Sequence, residues 1–144
     1  MHSLIVVAHP DPASLTHAVA ARIGQAITGA DARNTVTVAD LAAEGFDPRF
    51  NTADIGLFKQ GAAVPADVAA EHARVDAADA LVLVYPLYWW SFPALLKGWI
   101  DRVFTQGWAY ADGADEGGKE AAAPAGAPGR HRWRRRGDDR TARI

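Results

Sequence analysis

Cysteine is absent from this chain of 144 residues. Its absence excludes a disulfide scaffold, a thiolate metal site and a cysteine nucleophile. Long apolar runs are missing too. The longest, 4–8 and 80–85, fall far short of the roughly 20 residues that a helix needs to cross a bilayer. Neither charge sign dominates, with 15 Lys and Arg against 17 Asp and Glu. That balance excludes a globally basic nucleic-acid binder and an acidic disordered chain. The start shows no signal-peptide pattern, because its first apolar run leads straight into a polar turn. The expectation is a cytoplasmic protein with room for one domain and no membrane insertion.

What is present is divided unevenly. Residues 1–110 carry 7 basic and 11 acidic side chains, net −4, whereas residues 111–144 carry 8 and 6, net +2. Those last 34 residues hold no Val, Leu, Met or Phe, and Ile144 is their one branched aliphatic side chain. Ala, Gly, Pro, Asp and an Arg-rich cluster at 130–136 bury too little apolar surface to offset ordering of the backbone. We therefore expect an organised domain over 1–110 and a disordered tail over 111–144. The Arg cluster, with Trp133 as its one aromatic neighbour, reads as solvated rather than as a nucleic-acid or membrane contact.

Within 1–110 the pattern is that of an α/β protein. Residues 4–8, Leu-Ile-Val-Val-Ala, form the continuous apolar run of a strand covered on both faces. Pro10 and Pro12 force an extended turn, Ser14 is an N-cap candidate, and Leu15, Val19, Ile23 and Ile27 recur at helical spacing as far as Gly29. Residues 35–38 alternate and are β-branched, which suits a strand near a sheet edge. Residues 40–64, punctuated by Gly45, Pro48, Gly56 and Gly61, read as irregular. A weaker amphipathic helix follows over 65–77 with Val68, His72 and Val75 on one side, then a second doubly covered strand over 80–84. Pro93 opens a strong helix in which Leu96, Trp99, Ile100, Val103 and Phe104 face one way and Lys97, Asp101 and Arg102 the other. This order predicts a parallel sheet with right-handed crossovers and a ligand site at the carboxyl ends of its strands. The loops leaving those ends are 9–14 and 86–92.

The first loop, His9-Pro10-Asp11-Pro12-Ala13-Ser14, delivers a buried strand to a helix start, whose free N–H groups and positive dipole end attract phosphate. His9, Ser14 and Thr16 add side-chain donors there. The loop has no G-x-G-x-x-G and no Walker lysine, so neither the dinucleotide fingerprint nor an NTP-hydrolysing P-loop is available. A plainer reading has Ser14 as a helix cap and His9 as a strand end. In the second loop Tyr88, Trp89 and Trp90 follow directly on a strand end, and adjacent large aromatics cannot all point into one core. A planar aromatic ligand would give them a partner, as would an oligomer interface. His2, His17, His72 and His131 are less informative: no two histidines are spaced as metal ligands, and no Ser-His-Asp order stands out.

The segments AHPDPASLTHA (8–18) and YPLYWWSFPALLKGWIDRVF (85–104), followed by GWAY (107–110), together resemble the NAD(P)H:quinone oxidoreductase family of flavodoxin-like proteins. The second segment is the specific one. The resemblance implies a flavodoxin-like three-layer parallel sheet with a tightly held flavin, FAD or FMN. It implies hydride transfer from NAD(P)H to the flavin N5 and passage of two electrons to a quinone or similar acceptor, in a homodimer. Carried over by position, His9, Ser14, Leu15 and Thr16 would border the flavin phosphate and ribityl chain. Pro86, Leu87, Tyr88, Trp89 and Trp90 would line the isoalloxazine, and Trp90 would also face the nicotinamide and quinone pocket. Some family members instead serve as flavin-binding regulatory subunits of membrane transport systems, which is the alternative the resemblance leaves open.

The resemblance is expected to stop near Tyr110. Beyond it the family continues with a fourth and a fifth strand and a Thr-Gly-rich flavin loop, and the Tyr and His that assist hydride transfer follow that loop. No residue here is therefore assigned to catalysis. The composition of 111–144 is what out-of-frame translation of a GC-rich gene would give. Without strands 4 and 5 the third strand is expected to expose a flat apolar edge, giving a marginally stable, aggregation-prone chain that holds flavin weakly.

Overall fold

A computed structural model describes residues 1–110, so the tail and its Arg cluster lie outside the described residues. Seven elements follow in order: β1 (His2–Val7), α1 (Leu15–Ala30), β2 (Thr35–Asp40), α2 (Thr52–Gln60), α3 (Ala66–Asp76), β3 (Ala80–Val84) and α4 (Ala94–Val103). The three strands are parallel in the order β2-β1-β3, with Ile5 opposite both Val38 and Val82. The continuous apolar run of β1 has the cause expected of it, since both faces are covered. Leu4, Val6 and Ala8 join Leu96, Trp99 and Val103 of α4 and Val75 of α3 in one core. Ile5 and Val7 point the other way, against Ala20, Ile23 and Ile27 of α1. Each fully buried aliphatic side chain of this kind contributes about 1.5–3 kcal/mol. Among the described residues β3 pairs with β1 alone, and Leu81, Val82 and Leu83 are only half-buried. The other edge of β3 has no strand partner among the described residues. No helix among the described residues is long and apolar enough to cross a membrane.

Three local expectations are corrected. The apolar stripe of α1 does not stay on the core: Leu15 is 80% exposed and Val19 41%, while Thr16 and Ala20 are buried. Steps of four residues drift by about 40° each on a 3.6-residue helix, so a line passing through Ile23 and Ile27 leaves the sheet towards the N-terminal end. The segment 40–64 also contains a helix, α2. Asn51 and Asp54 close a capping box around its start, the Asn51 side chain accepting from the Ala53 and Asp54 N–H groups and Asp54 Oδ2 accepting from Asn51 N–H. Gly61, at φ +62°, ends it in the left-handed conformation that glycine adopts without strain. Thirdly, Arg102 does not face solvent; its side chain is 2% exposed.

Packing of α3 on α4 explains the aromatic residues that follow the second loop. Trp99 donates from Nε1 to Glu71 Oε2 at 2.9 Å, and His72 Nε2–H donates to the Val103 carbonyl at 2.7 Å. Trp108 stacks on His72 at 4.0 Å between ring centres. The glycine of the Leu-Lys-Gly-Trp motif has a steric role. A Cβ at Gly98 would lie 2.5 Å from Pro48 Cβ and 2.8 Å from Pro48 C, inside any tolerable contact. Replacing Gly98 by Ala is expected to destabilise the chain by about 1–3 kcal/mol, even though alanine favours a helix interior by about 1 kcal/mol. Urea melts of the two proteins check this; an unchanged or raised midpoint would mean that the 46–50 segment is not packed on α4.

Candidate functional site at the strand ends

The order β2-β1-β3 reverses direction between β1 and β3, so the crevice above their carboxyl ends is the topological switch point. Ala8 N–H donates to the Val84 carbonyl at 3.2 Å, so the two loops depart from adjacent points.

Asp11 organises the first loop. Its side chain accepts from Ala13 N–H, its carbonyl accepts from Ser14 N–H, and its own N–H donates to His9 Nδ1 at 3.0 Å. Ser14 caps α1, with Oγ accepting from His17 N–H and the carbonyl accepting from Ala18 N–H. The Leu15 and Thr16 N–H groups are the remaining helix-start donors, and a helix start directs such groups outward along its axis. His9 and Ser14 are half-buried, Thr16 is buried, and Leu15 stands at the rim.

His17 has more to do than the sequence indicates. Its Nδ1 lies 2.9 Å from Ser14 Oγ and its Nε2 lies 2.8 Å from Asp40 Oδ2. Serine, histidine and aspartate thus form a hydrogen-bonded line. No spacing in the sequence could show this, because Asp40 ends the neighbouring strand and only the β1–β2 pairing brings it to α1. Burial pushes the Asp40 carboxyl up, but hydrogen bonds from His17 and from the Ala43 and Ala42 N–H groups outweigh it and hold the carboxyl below its ordinary value.

The second loop is a two-residue hairpin. Tyr88 and Ser91 exchange backbone hydrogen bonds at 3.1 and 3.0 Å, and between them Trp89 and Trp90 sit at φ +49° and +61°. Positive φ at both positions is the type I′ arrangement, which Asn-Gly adopts readily and tryptophan does not. Their indoles are 96% and 94% exposed. Leu87 and Tyr88 are exposed beside them, Pro86 is half-buried, and the Tyr85 ring meets Phe92 edge-on at 5.0 Å to close the loop's base. Neither tryptophan is a core residue. A cavity of about 500 Å³ opens elsewhere, between α2 and the end of α4, lined by Phe50, Ile55, Phe58 and Ile100 and rimmed by Tyr110. None of the nine site residues expected from the sequence touches it.

A family model for the flavodoxin-like fold matches residues 1–129. The chain belongs to the flavodoxin-like family. The match runs past Tyr110, so the resemblance is longer than the quoted motifs alone imply. An NAD(P)H oxidoreductase of Haemophilus influenzae is 40% identical over 76% of this chain and 54% of its own length. The solved NAD(P)H:quinone oxidoreductase of Methanothermobacter marburgensis is 37% identical, with a TM-score of 0.71 over 76% of this chain and 56% of that one. The general stress protein 14 of Treponema denticola, solved in complex with FMN, is 30% identical, with a TM-score of 0.53 over 78% of this chain and 53% of that one. The chain spans about half the length of the curated relatives it matches.

The flavodoxin-like crevice suits a phosphorylated, planar ligand on its own chemistry. At one side stand hydroxyl, imidazole and helix-start N–H donors for an anion. At the other stand uncovered aromatic faces for a ring, with the N–H groups of Leu87, Trp89 and Trp90 outside the hairpin's mutual bonds.

Proposed function

We propose that this chain binds a flavin across the two loops and acts as an NAD(P)H oxidoreductase toward a quinone-class acceptor. The carrying observation is the Trp89-Trp90 turn, two large apolar side chains held in a strained backbone at a strand-end crevice and left exposed among the described residues. In this reading Ser14, Thr16, His9 and the N–H groups of Leu15 and Thr16 hold the phosphate. Pro86, Leu87, Tyr88, Trp89 and Trp90 hold the ring, and Trp90 borders the place where the nicotinamide and the acceptor take turns. Bound flavin would supply the redox chemistry, accepting hydride at N5 and returning two electrons to the acceptor. The protein orients the ring, excludes water from one face and meets the phosphate with hydrogen-bond donors. FMN is the first cofactor to try, because the Treponema relative was solved with it. FAD presents the same ring. A homodimer would cover the indole faces turned away from the ligand.

The test is the visible spectrum of the purified chain before and after addition of FMN, then FAD. A retained or reconstituted yellow species that NAD(P)H bleaches and a quinone restores is the expected result. A colourless chain that takes up neither flavin would overturn the reading.

A further inference from the structure

The Ser14–His17–Asp40 line constrains where protons can be. Asp40, held as a carboxylate, accepts from His17 Nε2–H at 2.8 Å. With that proton on Nε2, the neutral ring presents Nδ1 as an acceptor, and the group within reach is the Ser14 hydroxyl at 2.9 Å. Ser14 O–H is then turned inward, and its oxygen already accepts from His17 N–H. In that state the loop serine has no proton to offer a ligand. A second proton taken up from solvent reverses the bond: Nδ1–H donates to Ser14 Oγ, and the Ser14 O–H, still protonated, is free to turn outward.

We propose that His17 and Asp40 are positioning residues that couple phosphate binding at the first loop to uptake of one proton, switching Ser14 from an internal donor to a donor for the ligand's phosphate. The proposal rests on the phosphate position assigned above. Protonation adds a hydrogen-bond donor and a positive charge in one step, both favouring an anion at the start of α1. The charged and titratable groups facing His17 are few. Among the described residues they are Asp40 from β2 and the His9 ring, edge-on at 6.3 Å. The Asp40 carboxylate favours the imidazolium and His9 opposes it when charged.

Binding of FMN and of methyl phosphate is measured from pH 5 to 8.5 by calorimetry and by amide shifts at Leu15 and Thr16, in the full chain and in His17→Gln and Asp40→Asn. The second ionisation of a phosphate monoester also falls in this range, but it is common to all three proteins and cancels in the ratio of their affinities. Relative to His17→Gln, the unaltered chain is expected to bind about tenfold more tightly at pH 5.5 than at 8.5, equivalent to one pH unit of linkage. Calorimetry in buffers of different ionisation enthalpy should show proton uptake that His17→Gln lacks. Asp40→Asn keeps an acceptor for the Ala42 and Ala43 N–H groups but turns its NH2 toward His17 Nε2, which places the neutral ring's proton on Nδ1 and frees the Ser14 hydroxyl at every pH, so the pH dependence relative to His17→Gln should flatten with binding retained at high pH. A purely structural role for His17 would not produce that flattening. If FMN binds with the same pH profile in the unaltered chain and in His17→Gln, the switch is wrong and the flavin assignment stands. If methyl phosphate shows the coupling and FMN does not bind, the switch stands and the flavin assignment falls. If neither binds at any pH, both fall.

Discussion

Replacing Arg102 by alanine is expected to destabilise the chain by about 3–5 kcal/mol, read as a large drop in the urea midpoint. The guanidinium is buried and holds together three segments far apart in sequence. Its Nε donates to Asp54 Oδ2 at 3.0 Å, and its Nη1 donates to Asp67 Oδ2 at 2.6 Å and to the Asp47 carbonyl at 2.8 Å. It also lies 5.5 Å from the centre of the Phe46 ring. Removing it strands Asp54, 4% exposed, whose Oδ1 has no partner among the described residues. The loss is therefore mainly an uncompensated buried carboxylate rather than a missing attraction. Two further variants separate these effects. Arg102→Lys keeps the charge but not the fork, and should fall between the two proteins. Combining Arg102→Met with Asp54→Asn, which removes the buried charge but keeps an acceptor for the Asn51 N–H, should recover much of the loss. If the double variant is as unstable as Arg102→Ala, lost packing rather than stranded charge is the cause.

The same cluster predicts how acid acts. The hydrogen bond from Arg102 is the main reason the Asp67 carboxyl sits below its ordinary value of 3.8. A depressed carboxyl stabilises the fold above its unfolded value and loses that contribution as pH falls through the folded one. Stability should therefore decline as pH drops below about 4, and the Asp67 share of that slope should vanish in Arg102→Ala. The Asp47 carboxyl, held at about 2 chiefly by the Arg49 hydrogen bond, should leave the remainder in place.

Arg102 also shows what the sequence could and could not convey. A continuous apolar run marks a strand covered on both faces and a helical period marks an amphipathic helix, so β1, β3 and α4 were legible from their own residues. So were the two loops, because a strand end that carries Ser14 at a helix start or two tryptophans is a local signal. Arg102 was not legible. It falls on the polar flank of α4, one turn from Gly98, and that flank is buried only because the segment around Pro48 folds over it. Its partners lie 35 to 55 residues away, beyond any periodicity. The α2 helix escaped for a related reason: its caps are strong, but Gly56 and scattered polar residues blur the face by which helices are recognised. His17 failed in the same manner, since its role depends on Asp40 arriving from the next strand.

Changing Trp89 to Asn and Trp90 to Gly together is expected to raise stability while lowering flavin affinity. Each tryptophan sits in the left-handed region, at a backbone cost of about 1–2 kcal/mol for an L-residue with a side chain. Asn-Gly is the pair that a type I′ hairpin accepts most readily. Because the indoles are almost wholly exposed, their removal forfeits little packing in the free chain. The urea midpoint should rise by the equivalent of about 1–3 kcal/mol. Loss of two stacking faces should weaken FMN binding by about 2–3 kcal/mol, some 30- to 150-fold. The opposite signs are the informative part. A destabilised double variant would mean that the indoles pack on something in solution, a second copy foremost, and sedimentation at rising concentration would show it. A more stable variant that binds FMN undiminished would mean that the ring does not meet this loop. Only stability gained together with binding lost identifies strain retained for a ligand.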